Sequence, residues 1–166
     1  MSAPGDIQRA KETSTLWETP RVVFNALDKE FWFSLDGAAS ETNNQCPRYY
    51  DEAANAFVHR PLSEAVFVNP PYGRGLDKWI DLFKIWADKD HGCSVVALLP
   101  TACETAWYQE AKRTCDEERI TPKRIRFELN GKPVGSNTVG STIFVWWPRP
   151  EFRPDFRATS RYWTWE

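Results

Sequence analysis

Residues 65–73 read Ala65-Val66-Phe67-Val68-Asn69-Pro70-Pro71-Tyr72-Gly73, and the fold is decided here. Four apolar residues without a polar break predict a strand covered on both faces, as parallel sheets require. It runs straight into Asn69, and the two prolines that follow fix the backbone and remove two N–H donors. After Gly73, an apolar stripe of Leu76, Trp79, Ile80, Phe83 and Trp86 predicts a helix over 75–87. Ser94 to Leu99 (SVVALL), stopped by Pro100, predicts another buried strand. Strand, helix and strand in succession are the signature of an α/β sheet, whose ligands bind at the carboxyl ends of the strands. Asn69 stands at that edge.

Upstream, Trp17 to Phe31 is predicted helical: Thr19 can cap, Pro20 suits the first turn, and Val23, Phe24, Leu27 and Phe31 follow helical spacing. Phe31 to Leu35 (FWFSL) reads as a short strand ending at Asp36-Gly37-Ala38-Ala39, and residues 40–63 are polar and irregular. Downstream, residues 103–119 read as a helix and Arg124 to Leu129 alternates as a half-buried strand. Thr142 to Trp147 is the last strand. The loop between these two holds Gly131, Pro133, Gly135 and Gly140, so a C-terminal antiparallel strand pair is expected. Residues 1–15 read as a mobile tail, 16–148 as one compact domain, and 149–166 as an Arg- and aromatic-rich tail without assignment.

The 166 residues suit one domain, and nine Trp with ten Phe supply large apolar areas for its core. No apolar run approaches the ~20 residues of a membrane span, and the polar N-terminus lacks the apolar stretch of a signal peptide. Cys46, Cys93, Cys103 and Cys115 show no zinc-type spacing, which points to free thiols in a reducing compartment. The isolated His59 and His91 offer no metal-hydrolase constellation, so no metal is expected. A net charge of −2 excludes a protein that coats nucleic acid by charge alone. Residues 1–111 carry −6 and residues 112–166 carry +4, making the last third the better face for a polyanion. A mixed-charge surface explains the same numbers.

Asn69-Pro70-Pro71-Tyr72 exposes a carboxamide, carbonyl oxygens and an aromatic ring. That set suits an amine on a flat heteroaromatic ring. The Asn69 side-chain oxygen and the Pro70 carbonyl can each accept one N–H of the exocyclic amine of adenine, freeing the nitrogen lone pair, while Tyr72 stacks on the base. A methyl group in line with the nitrogen then transfers by direct displacement, with catalysis by positioning and electrostatics. The competing reading is a rigid turn with Asn as a turn residue.

From Trp17 to Trp147 the chain resembles the phage-type, Dam-like DNA N-6-adenine methyltransferases. The resemblance rests on Trp17, Thr19 and Pro20; Leu35-Asp36 with Ala38-Ala39; Asn69 to Gly73; Leu99-Pro100 followed by Thr105 and Trp107; and Arg124 to Phe127. It implies a Rossmann-like sheet using S-adenosylmethionine. The family's cofactor pocket would fall on Thr19, Pro20, Asp36, Gly37, Ala38 and Asn69, and its adenine clamp on Asn69, Pro70, Pro71 and Tyr72. Asp36 would meet the cofactor ammonium; a turn or cap role is the alternative. The chain departs from the common Gly-x-Gly first turn, having Asp36-Gly37-Ala38-Ala39-Ser40. About 30 residues separate that turn from Asn69, little room for a second strand and helix. Asp51 and Glu52 are then the candidates for the ribose, and a loop around Asn43, Cys46 and Tyr49 could close over the cofactor.

A base within duplex DNA must be flipped out to reach such a pocket. Arg74, Arg124, Arg126 and Lys132 are the candidates for phosphate contacts, each with a plain solvated role as the alternative. Arg149, Arg153, Arg157 and Arg161 recur every four residues, although Pro154 interrupts a helix there. No separate target-recognition domain fits in the chain, and its oligomeric state stays open. A protein glutamine methyltransferase shares the tetrapeptide, and a degenerate fold that only binds nucleic acid is a second alternative. The family's usual setting implies a phage or prophage protein acting on double-stranded DNA in bacterial cytoplasm.

Overall fold

A computed structural model of the chain describes residues 17–88, 92–134, 139–148 and 158–165. A six-stranded sheet is built from β1 (Leu35–Asp36), β2 (Ala65–Val68), β3 (Ser94–Pro100), β4 (Glu117–Ile120), β7 (Ser141–Trp146) and β8 (Thr159–Tyr162), in the order β1-β2-β3-β7-β4-β8. β1, β2 and β3 are parallel, β7 is antiparallel to both β3 and β4, and β8 is parallel to β4. β5 (Glu128–Leu129) and β6 (Lys132–Pro133) form a separate hairpin. The protein is therefore a mixed α/β fold.

Period-2 alternation sorts the side chains of the central strands onto two faces. Val66, Val68, Val95, Ala97, Leu99, Phe144 and Trp146 pack against α2 (Leu76–Trp86) and α3 (Ala106–Thr114) through Ile80, Phe83, Trp86, Tyr108 and Ala111. Phe67, Val96, Leu98, Ile143 and Val145 face the opposite way, onto Val23, Phe24, Leu27 and Phe31 of α1 (Arg21–Phe31) and onto Ile125 and Phe127. Both faces of β2, β3 and β7 are thus dry, which is why these strands read as apolar runs.

Four local expectations are revised. α1 starts at Arg21 with Pro20 at its N-cap, and Thr19 makes no capping bond because its hydroxyl is engaged elsewhere. Phe31 remains helical; the chain reverses at Trp32, whose φ of 57° is left-handed, so the strand shortens to Leu35–Asp36. The helix expected over 103–119 ends at Thr114, and Glu117–Ile120 is a strand instead. Glu118 and Arg119 are buried there because they are paired. Glu118 accepts from Tyr108, Lys112 and Ser160, and fully buried Arg119 forks onto Glu30 of α1 at 2.7 and 2.6 Å. Finally, β7 does pair antiparallel, but with β3 and β4 rather than with residues 124–129. Residues 124–127 keep the exposed–buried alternation without joining a ladder.

Thr159–Tyr162, in the segment without assignment, extends the sheet beyond β4. The N-terminal tail 1–15, His91, Gly135, Arg149, Arg153, Pro154 and Arg157 lie outside the described residues. No helix among the described residues is long and apolar enough to cross a membrane. All four cysteines are free, three of them buried.

Candidate active site

The parallel strands bring three segments to one edge: Gly37 after β1, Asn69 after β2 and Thr101 after β3. Ile120, the last residue of β4, pairs with Thr142 near the start of β7, so the segment after β4 leaves from the same edge. A cavity of about 650 Å³ opens beside Asn69. Asn69 and Pro71 form one wall, Gly37, Ala38 and Ala39 another, and Asp51, Glu52, Phe57 and Trp79 much of the remainder.

Asn69 is half-buried, and its Nδ2 donates to Thr19 Oγ1 at 3.1 Å. That bond commits the amide nitrogen and leaves Oδ1 as the end that accepts. Thr19 is itself almost fully buried, and its carbonyl accepts from Gln45 Nε2 at 2.8 Å. Tyr72 turns away from the cavity. Its ring meets Phe127 edge-on at 6.1 Å, Phe127 stacks on Trp17, and its hydroxyl points to the Leu98 carbonyl at 3.4 Å. Burial pushes the Tyr72 phenol well above its ordinary range. The prolines thus divide two environments, the cavity on one side and an aromatic cluster on the other.

Asp36 is 2% exposed and lies behind the cavity wall rather than in it. Its two carboxylate oxygens accept the backbone N–H groups of Ala38, at 3.2 Å, and Gln45, at 3.0 Å. Burial pushes its carboxyl up to about 6, and those two bonds offset only part of the desolvation. A tight turn follows in which Gly37 donates to the Phe67 carbonyl at 2.8 Å. A Cβ on Gly37 would lie 3.0 Å from both Trp86 and Val68, so only glycine lets this turn press against the core. The loop then returns alongside β1. Asp36 donates to the Arg48 carbonyl, Tyr50 donates to the Asp36 carbonyl, and Ala39 donates to the Tyr50 carbonyl. Arg48 is bidentate on Glu64, which ties the returning strand to β2.

Of the residues singled out from sequence, Gly37, Ala38, Asn69, Pro71, Asp51, Glu52 and Asn43 line the cavity. Thr19 reaches it through Asn69, while Pro20, Asp36 and buried Cys46 stand behind it. Sequence reasoning missed Ser40, Tyr50, Asn55, Phe57 and Trp79. Trp79 carried a signal, since it lies at the border of the apolar stripe of α2, where a half-buried ring can serve both core and ligand. Phe57 meets it at 4.8 Å, from a 3₁₀ turn (Ala56–Val58) capped by Asn55. The loop that places Phe57 has no periodicity that a sequence pattern could detect. No cluster of three His, Cys, Asp or Glu residues that could hold a metal occurs among the described residues.

Arg74, Arg124, Arg126 and Lys132 are all exposed. Lys132 lies on β6, across a two-residue Asn130-Gly131 turn with φ of 52° and 69°, the backbone of a tight hairpin. Glu18 pairs with Glu128 through backbone bonds of 2.7 and 2.9 Å, so the hairpin is clipped to the residue preceding Thr19. Much of the remaining positive charge of the last third is spent internally. Lys112, Arg113, Arg119 and Arg161 are held by Glu118, Glu110, Glu30 and Glu117.

A DNA N-6-adenine-methyltransferase of Escherichia phage T1 is 31% identical over 165 residues, covering 83% of this chain and 67% of its own. Neither the glutamine-methylating nor the degenerate alternative is favoured by that match. The sequence pattern of the family described as "DNA N-6-adenine-methyltransferase (Dam)" matches residues 7–161. This chain, with its Asn-Pro-Pro-Tyr loop on a ligand-sized cavity, belongs to the Dam family of adenine-specific DNA methyltransferases.

Proposed function

We propose that the protein methylates the N-6 amine of adenine in double-stranded DNA, with S-adenosylmethionine held in the cavity beside Asn69. One observation carries the reading: the Asn69 amide stands in the cavity wall at the end of a buried strand, its nitrogen committed to Thr19. The open strand order, with the site at the carboxyl ends of parallel strands, supports a Rossmann-like classification.

The cavity fits such a cofactor. Its volume of about 650 Å³ lies within the common range for small-molecule sites. Phe57 and Trp79 offer apolar surface to a heteroaromatic ring, and Asp51 and Glu52 offer acceptors to sugar hydroxyls. Gln45 Oε1, buried beside Asp36 and Thr19, has no hydrogen-bond partner among the described residues. Asp36 adds negative charge behind that wall, which favours a bound ammonium group. When bound, S-adenosylmethionine supplies an electrophilic sulfonium methyl group for direct displacement by the amine.

Asn69 Oδ1 and the Pro70 carbonyl each accept a hydrogen bond from one N–H of the amine. This places lone-pair density on the nitrogen and orients it toward the cavity. Pro71 keeps the loop rigid, and Tyr72 stacks on the flipped base after its ring leaves the Phe127 contact. Unstacking the base costs a few kcal/mol, which phosphate contacts from Arg74, Arg124, Arg126 and Lys132 offset. The reaction takes place where phage DNA is accessible, in the bacterial cytoplasm.

The test is methyl transfer from labelled S-adenosylmethionine to unmethylated DNA, with nucleoside analysis of the product. The expected product is labelled N-6-methyladenine. Asn69→Ala should lower kcat about 100- to 1,000-fold, the usual loss for removing a transition-state hydrogen-bond partner. Its unfolding midpoint should fall by only a few degrees, because one half-buried hydrogen bond is lost. Label on cytosine or on protein, or an Asn69→Ala protein with undiminished kcat, refutes the reading.

A further inference from the structure

From the single bond between Asn69 and Thr19, we infer that Thr19 is a positioning residue that acts on methyl transfer through Asn69. The inference rests on the catalytic role proposed for Asn69.

Thr19 is 3% exposed and stands behind Asn69 rather than in the cavity wall. Its hydroxyl oxygen receives Asn69 Nδ2 at 3.1 Å. The residue is held from three sides. Glu18 is bridged to Glu128 of β5, the Thr19 carbonyl receives Gln45 Nε2 at 2.8 Å, and Pro20 begins α1 with a fixed φ of −54°. Gln45 is secured in turn by its backbone N–H on Asp36 and by Arg21 on its carbonyl. A hydroxyl so restrained is a fixed acceptor, and a fixed acceptor holds the Asn69 amide in one rotamer.

The consequence is chemical as well as geometric. An amide whose N–H is hydrogen-bonded is a better acceptor at its oxygen, because bonds in a chain polarise one another. With Nδ2 committed to Thr19, Oδ1 faces the substrate amine. With Thr19 unable to accept, the amide samples other rotamers, and an outward Nδ2 would oppose the amine, donor against donor. Thr19 therefore raises kcat and leaves cofactor affinity alone. The family resemblance sets Thr19 among the cofactor contacts, whereas its bond to Asn69, fifty positions away, leaves no sign in the sequence.

The experiment is a double-mutant cycle on the full-length protein, read by single-turnover transfer of labelled methyl and by titration with S-adenosylmethionine. Thr19→Val keeps the shape and removes the acceptor. We expect it to lower the transfer rate about tenfold, the fold-change of one hydrogen bond, with cofactor Kd within twofold. Thr19→Ser should restore the rate. In the Asn69→Ala background Thr19→Val should change nothing further, since its only route of action is gone. A loss of equal size in both backgrounds overturns the inference in favour of a purely structural role. A weakened cofactor Kd with an unchanged rate overturns it in favour of direct contact. If Asn69→Ala alone keeps the full rate, the proposed role of Asn69 has failed, and that outcome is separate from either of these.

Discussion

Asp36 to Asn exchanges a buried carboxyl for a group that does not titrate, and the structure sets the size of the effect. The Asp36 carboxyl is raised from an ordinary 3.8 to about 6 by burial. Each unit is worth about 1.4 kcal/mol, so the folded state disfavours the charged form by about 3 kcal/mol. The sign follows from proton linkage: between pH 4 and 6 the folded chain holds a proton that the unfolded chain has released. The contribution of Asp36 to stability is therefore fully present below pH 4 and is lost as pH rises through 6. Above that, the buried charge is a constant cost. Urea unfolding of the wild type and of Asp36→Asn, followed by tryptophan fluorescence from pH 4 to 8, isolates this group because the other carboxyls titrate in both proteins. The wild-type free energy minus that of the variant should fall by about 3 kcal/mol between pH 4 and 7. The new amide facing the Gln45 N–H shifts the whole curve without bending it. A difference that is flat, or that rises with pH, would refute the assignment of burial as the dominant influence. The proposed cofactor adds a second reading. A bound ammonium favours the ionised carboxylate, so cofactor affinity should rise from pH 5 to 7 in the wild type and less in the variant.

Two further substitutions probe the frame around the site. Gly37→Ala places a Cβ 3.0 Å from Trp86 Cζ3 and Val68 Cγ2, in a region with no slack. Overpacking of this kind costs about 2 kcal/mol, which lowers the melting temperature by about 4–8 °C. The displaced Val68 carries Asn69 with it, so kcat should drop as well; an unchanged melting temperature would show that the turn can give way. Arg119→Met removes a fully buried cation from between Glu30 and Glu117. Because both carboxylates keep some access to water, we expect a loss near the lower end for broken buried pairs, about 3 kcal/mol. Urea unfolding measures it, and a variant as stable as the wild type would mean that the methionine packs as well as the ion cluster does.

The sequence by itself determined the elements whose side chains carry a period. Ala65–Val68, Ser94–Pro100 and Ser141–Trp146 were legible because both faces of those strands are dry. The helix at Leu76–Trp86 was legible because one stripe of it is. It also located the Asn69 loop at a strand end, since chain order alone puts it there. Strand Glu117–Ile120 was not legible. Glu-Glu-Arg-Ile looks solvated until Glu30, Lys112 and Ser160, from other parts of the chain, neutralise it. The order of the sheet, with β7 inserted between β3 and β4, was equally hidden, because pairing depends on partners distant in sequence. The same holds for the cavity. Residues 37–57 have no periodicity and take their course from backbone bonds to β1 and from the Arg48–Glu64 pair. Only the tertiary structure set Thr19 against Asn69 and turned Tyr72 toward Phe127, because a hydrogen bond or a ring contact between distant residues leaves no mark on the local pattern of either.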